Sequence, residues 1–125
     1  MLKVTWDHLH LRSPDPEATA AWFEQMLGAE IVRSPGRTDL NFGGSKIFIA
    51  QMTGDIATPQ ATPAPGVDHF GLVVTDIDAV TATLKAKGVE ITRGPVTLRP
   101  GLRIVFLREP YGLVIELLDR DPKYV

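Results

Sequence analysis

Apolar and polar residues alternate along the start of the chain. Val4, Trp6, His8, His10 and Arg12 therefore share one face of an extended strand, with Leu9 and Leu11 on the other. The period then changes. Asp15 is placed to cap a helix, Pro16 suits its first position, and Glu17 lies near its positive end. Trp22, Phe23, Met26 and Leu27 fall on one helical face, read as core, and Gly28 can take the left-handed conformation that ends a helix. A strand opens at Gly28-Ala29-Glu30-Ile31. Two more strand patterns, residues 38–42 and 46–50, flank Gly43-Gly44 as a hairpin.

The same order recurs. His69 and Asp76 repeat the spacing of His8 and Asp15, each 61 residues further on. Asp76 is a second cap, Ile77, Val80 and Leu84 give a helical stripe, and Gly88 ends it. Gly88-Val89-Glu90-Ile91 matches the earlier strand start. Residues 102–107 and 113–118 flank Glu109-Pro110-Tyr111-Gly112, with Tyr111 read as a turn residue. The predicted fold is α+β: two tandem βαβββ modules forming an open, cleft-lining mixed sheet with helices outside. Module one covers residues 1–52, a Pro-, Ala- and Thr-rich linker residues 53–66, and module two residues 67–125, all within a single domain. A module of about 50 residues has little core of its own, so the two are expected to pack together or against a partner chain.

Strand parity sorts the candidate chemistry. If the apolar faces meet the helices, His8, His69 and Glu116 all lie on the opposite, concave face. Two imidazoles and a carboxylate suit one divalent ion among Zn, Ni, Co, Mn and Fe, and leave positions open for substrate. His10 and Arg12 share that face. A lone strand histidine is usually structural. The matched register of His8 and His69, with Glu116 on the same face, favours ligation.

Composition narrows the partners. The chain has 125 residues, 44% of them apolar, as in a globular domain. The formal net charge is −2, with no basic run, which argues against nucleic acid. With no cysteine, disulfides, thiolate ligands and a cysteine nucleophile are excluded. The alternating start is neither a signal peptide nor a membrane helix, and a soluble, cytoplasmic protein is expected.

The stretches Asp7-His8-Leu9-His10-Leu11-Arg12-Ser13-Pro14-Asp15, Trp22-Phe23, Leu27-Gly28, Val67-Asp68-His69-Phe70-Gly71-Leu72, and residues 106–117 from Phe106 through Pro110-Tyr111-Gly112 to Glu116-Leu117 resemble the vicinal oxygen chelate superfamily. That superfamily includes glyoxalase I, methylmalonyl-CoA epimerase, extradiol dioxygenases, and fosfomycin- and bleomycin-resistance proteins. The resemblance implies metal ligands at positions 8, 48, 69 and 116. Here these are His8, Phe48, His69 and Glu116, so one carboxylate of the glyoxalase set is missing. Gln51 is a conceivable substitute, but parity turns it toward the helices.

By the same resemblance Arg12 matches an arginine that holds a glutathione carboxylate, and Glu116 is both ligand and catalytic residue. Arg12, Phe48, His10 and Arg103 are the candidate substrate-binding residues, Phe48 as a cleft wall and Arg103 for an anion. The implied function is a glyoxalase-like, lyase-type metalloenzyme acting as a homodimer on a small molecule that chelates the metal through vicinal oxygens. The alternatives are an Fe(II) extradiol-type dioxygenase and a non-catalytic antibiotic-binding protein.

Overall fold

Each half of the repeat folds in the predicted order, strand, helix, then three strands. The computed structural model describes residues 2–3, 5–52 and 67–124. The chain divides into two units, Met1–Thr58 and Pro59–Val125. The linker expected over residues 53–66 lies outside the described residues. No helix among the described residues is long and apolar enough to cross a membrane.

The first unit contains β1 (His8–Ser13), α1 (Pro16–Leu27), β2 (Glu30–Ser34), β3 (Arg37–Phe42) and β4 (Ser45–Gln51). The sheet order is β1-β4-β3-β2, with β1 parallel to β4 and the other pairs antiparallel. Asp15 caps α1 by accepting from the Ala18 amide at 3.1 Å, and Gly28 ends it at φ 72°. The buried Ser13 hydroxyl bonds to that of Thr19 at 2.6 Å and accepts from the Asp15 amide, fixing the turn from strand to helix. Ala20 and Phe23 of α1 are buried with Leu40, Ile47 and Ile49, which share the helix-facing side of the sheet.

The second unit contains β5 (Phe70–Val73), α2 (Ile77–Ala86), β6 (Glu90–Arg99), β7 (Leu102–Arg108) and β8 (Val114–Arg120), in sheet order β5-β8-β7-β6. The tandem βαβββ, α+β reading therefore stands, with the strands hydrogen-bonded as two four-stranded sheets. Asp76 caps α2 through the Ala79 amide, but from a left-handed backbone, φ 57°. The helix closes at Lys87, one residue before the predicted stop, with Gly88 following at φ 83°. Val105, Leu107, Ile115 and Leu117 are fully buried on the helix-facing side, where Ile77 and Leu84 of α2 are also buried. Each such aliphatic contributes about 1.5–3 kcal/mol.

Candidate metal centre

Histidine 69 stands two residues before Gly71, whose Cα partner on β8 is Glu116. This register brings imidazole and carboxylate together, with His69 Nε2 3.3 Å from Glu116 Oε1. The other ring nitrogen, Nδ1, is held 2.7 Å from Asp68 Oδ2. Phe106, the Cα partner of Glu116 on β7, packs edge-on to the His69 ring with centroids 5.0 Å apart. Gly71 keeps the space beside the carboxylate open. A Cβ there would meet the Leu118 side chain at 2.8 Å and Glu116 Oε1 at 3.7 Å. Without an ion, the Asp68 hydrogen bond, joined by a smaller contribution from Glu116, raises the His69 pKa above its ordinary value against partial burial.

An imidazole and a carboxylate are donor types that suit a divalent ion. A ligating imidazole needs one nitrogen fixed by a hydrogen bond and the other free to bind. Asp68 fixes Nδ1, so Nε2 is left facing a carboxylate oxygen. Among the described residues, no group of three or more His, Asp or Glu side chains is placed to hold a metal ion, so His8, His69 and Glu116 are not brought together as a ligand set.

In the first unit His8 makes the same local arrangement, its Nδ1 2.6 Å from Asp7 Oδ2. Its ring stacks on Phe48, centroids 4.0 Å apart and planes 22° from parallel. His10 packs edge-on to the same phenyl ring. Phe48 pairs with His10 and Asp39 as Glu116 pairs with Gly71 and Phe106, so the two residues hold the same place in their sheets.

Of the other predicted residues, Arg12 is exposed on the His8 face of β1. Gln51 is turned to the other side, its amide donating to the Pro14 carbonyl at 2.7 Å. Arg103 also lies away from the Glu116 face. It pairs with Asp119 in the sheet register, shares the side of Val105 and Leu107, and forms an ion pair with Asp78 of α2. Sequence reasoning passed over the two aspartates, although the repeated Asp-His dipeptide was visible. It also missed Arg37, whose guanidinium carbon lies 4.2 Å from the Phe48 ring centroid.

The chain matches the family model of the Glyoxalase/Bleomycin resistance protein/Dioxygenase superfamily over residues 5–117 and belongs to that superfamily. It is 27% identical to a probable lactoylglutathione lyase of Vibrio cholerae over 121 residues, covering 90% of this chain and 88% of that protein. It is also 24% identical to a probable chloroplastic lactoylglutathione lyase of Arabidopsis thaliana, covering 92% of this chain. The chain spans 35% to 44% of the length of the plant relatives it matches. Among solved structures, an integron cassette protein from Vibrio cholerae superposes with a TM-score of 0.76 at 26% identity, covering 97% of this chain and 99% of that one. The fosfomycin resistance protein FosX of Listeria monocytogenes shares the fold, with a TM-score of 0.76 at 20% identity, covering 98% of this chain and 95% of that one.

Proposed function

We propose that this chain is a metal-dependent enzyme of the glyoxalase type, a lyase or isomerase for a small substrate that chelates a divalent ion through neighbouring oxygens. The reading is carried by the approach of His69 Nε2 to Glu116 Oε1 at 3.3 Å, with Asp68 on the other ring nitrogen, in a member of this superfamily. His8, oriented by Asp7 in the same way, is the proposed third ligand. A bound ion supplies a Lewis acid for the substrate oxygens. Glu116 carries the proton between substrate carbons. Its side chain is only 15% exposed, and Phe106 and Leu118 share its face of the sheet, which limits water around the carboxylate. Arg12, exposed on the His8 face, is the proposed contact for a substrate anion. The lactoylglutathione lyases among the relatives make the hemithioacetal of methylglyoxal and glutathione the first substrate to try.

A homodimer in the cytoplasm belongs to the same reading. Its support is the edge position of β1 and β5 and the exposed Trp6, Val67 and Val73 on or beside those strands. The test is to strip the protein of metal, reload it with Ni, Co, Zn or Mn, and follow product formation from the hemithioacetal, with Glu116→Gln as control. Turnover that the variant loses supports the proposal. Absence of bound metal, or of turnover with every ion, overturns it.

Phe48 favours a second reading. With a phenyl ring at the place equivalent to Glu116, the proposed ligand set is two histidines and one carboxylate, which suits an Fe(II) dioxygenase of small aromatic diols. Oxygen uptake with catechol and reduced iron tests it.

A further inference from the structure

Beyond Phe48, the first unit departs from the repeat in one more row of its sheet. In the second unit this row is apolar: Val73 on β5 pairs with Leu118 on β8, which pairs with Ile104 on β7. In the first unit Arg12 on β1 pairs with Ala50 on β4. Thr38 pairs with Ile49, so the next rung puts Arg37 of β3 beside Ala50 from the other side. Two arginines thus flank one alanine, on the face that carries His8 and His10. The fold does not require them, since the equivalent places in the second unit are filled by Val73 and Ile104.

Arg37 is held in place. Its guanidinium lies over Phe48, and Nη2 is 3.1 Å from Asp39 Oδ2. Asp39 is mostly buried, whereas the Arg37 side chain remains half-exposed. The aspartate offsets part of the charge but fixes the orientation of the fork, and a pre-oriented fork loses less freedom when it takes a second oxyanion. The same Phe48 ring stacks against His8, so one aromatic side chain joins the arginine to the proposed ligand. Ala50 leaves room between the two cations that a larger side chain would fill.

We infer that Arg37 and Arg12 form a two-arginine receptor for an oxyanion, a carboxylate or phosphoryl group, borne by the substrate, with Ala50 as its floor and Arg37 as the specificity-determining residue. The inference rests on the proposed site but does not require its metal. An oxyanion with two acceptor oxygens matches the arginine fork, and a neutral analogue of the same shape does not.

The test is a titration of the whole protein, metal-free and zinc-loaded, with succinate, inorganic phosphate and succinamide, following backbone amides and arginine Nε–H groups by NMR. Succinate or phosphate should saturate with shifts centred on Ala50, Arg12 and Arg37, and succinamide should not. The tighter of the two anions assigns the carboxylate or the phosphoryl class. Arg37→Gln should weaken anion binding about tenfold with the rest of the spectrum intact, and Arg37→Lys should fall between. Unchanged affinity in Arg37→Gln, shifts elsewhere, no saturation, or equal binding of succinamide overturns the inference. A protein that binds none of Ni, Co, Zn or Mn but still reads anions through Arg37 ends the proposed function alone. One that binds zinc without distinguishing succinate from succinamide ends this inference alone.

Discussion

Phe48 and Glu116 occupy equivalent rungs of the two sheets, one stacked on His8 at 4.0 Å between ring centroids, the other 3.3 Å from His69 Nε2. The repeat therefore offers a direct manipulation. Phe48→Glu places a carboxylate beside His8 as Glu116 stands beside His69. Zinc or nickel should bind at least about tenfold more tightly to this variant, because an added anionic ligand favours a divalent cation. Competition titration against a chelator of known affinity measures it. Equal or weaker binding would mean that position 48 does not face the ion, or that Arg37 captures the new carboxylate.

Asp68 and Asp7 are exposed, and as surface ion pairs they carry little stability. Their importance should appear in metal binding. Asp68→Asn removes the charged acceptor from His69 Nδ1 and should lower metal affinity about 10–100-fold with little change in the unfolding midpoint. Asp7→Asn should act in the same direction through His8. Glu116→Gln, which removes a proposed ligand itself, should cost more than either. If Asp68→Asn left metal affinity intact, the aspartate would be a bystander to the histidine.

Much of this was legible from the chain. The 61-residue repeat of the His and Asp positions carried the module order, and alternation along β8 put Glu116 opposite Ile115 and Leu117, as found. Parity also turned Gln51 correctly toward the helix side. The side faced by Arg103 was hidden because β7 is buried on both faces: Ile104 is 1% exposed and Val105 0%, so hydrophobicity there has no period of two. Arg37 was missed for another reason. The sequence pattern began β3 at Thr38, which left Arg37 outside the strand, and its seat on Phe48 arises only from cross-strand pairing that local periodicity does not encode.

The two helix caps are chemically alike but conformationally different. Asp15 has an extended φ of −142°, whereas Asp76 sits at φ 57°. Asp15→Ala should lose only the hydrogen bond to the Ala18 amide, about 1 kcal/mol. Asp76→Ala loses the bond to Ala79 and also forces alanine into a left-handed backbone that aspartate tolerates better, adding about 1 kcal/mol. Asp76→Asn, which keeps both the acceptor and that tolerance, should be nearly silent. Urea unfolding of the three variants gives the ranking, and an Asp15→Ala loss as large as that of Asp76→Ala would contradict it.

Glu109 supplies the pH dependence. Its Oε1 accepts from the amides of Tyr111 and Leu113 in the β7–β8 turn, while Oε2 is buried with no hydrogen-bond partner. Burial raises its pKa above the ordinary 4.5, outweighing the two amide donors, which favour the ionised form. The folded chain therefore keeps the proton to a higher pH than the unfolded chain, and between the two pKa values it binds more protons. Stability from this group must fall as pH rises from about 4.5 through the raised value, since ionisation is easier after unfolding. Glu109→Gln keeps an oxygen for the two amides and cannot ionise. Measured against wild type by urea midpoints between about pH 4 and pH 8, the variant should gain relative stability as the pH rises and level off above the raised pKa. A difference constant across that range would mean that Glu109 ionises as readily in the fold as out of it, and that the hairpin leading to Glu116 carries no cost from its buried carboxylate.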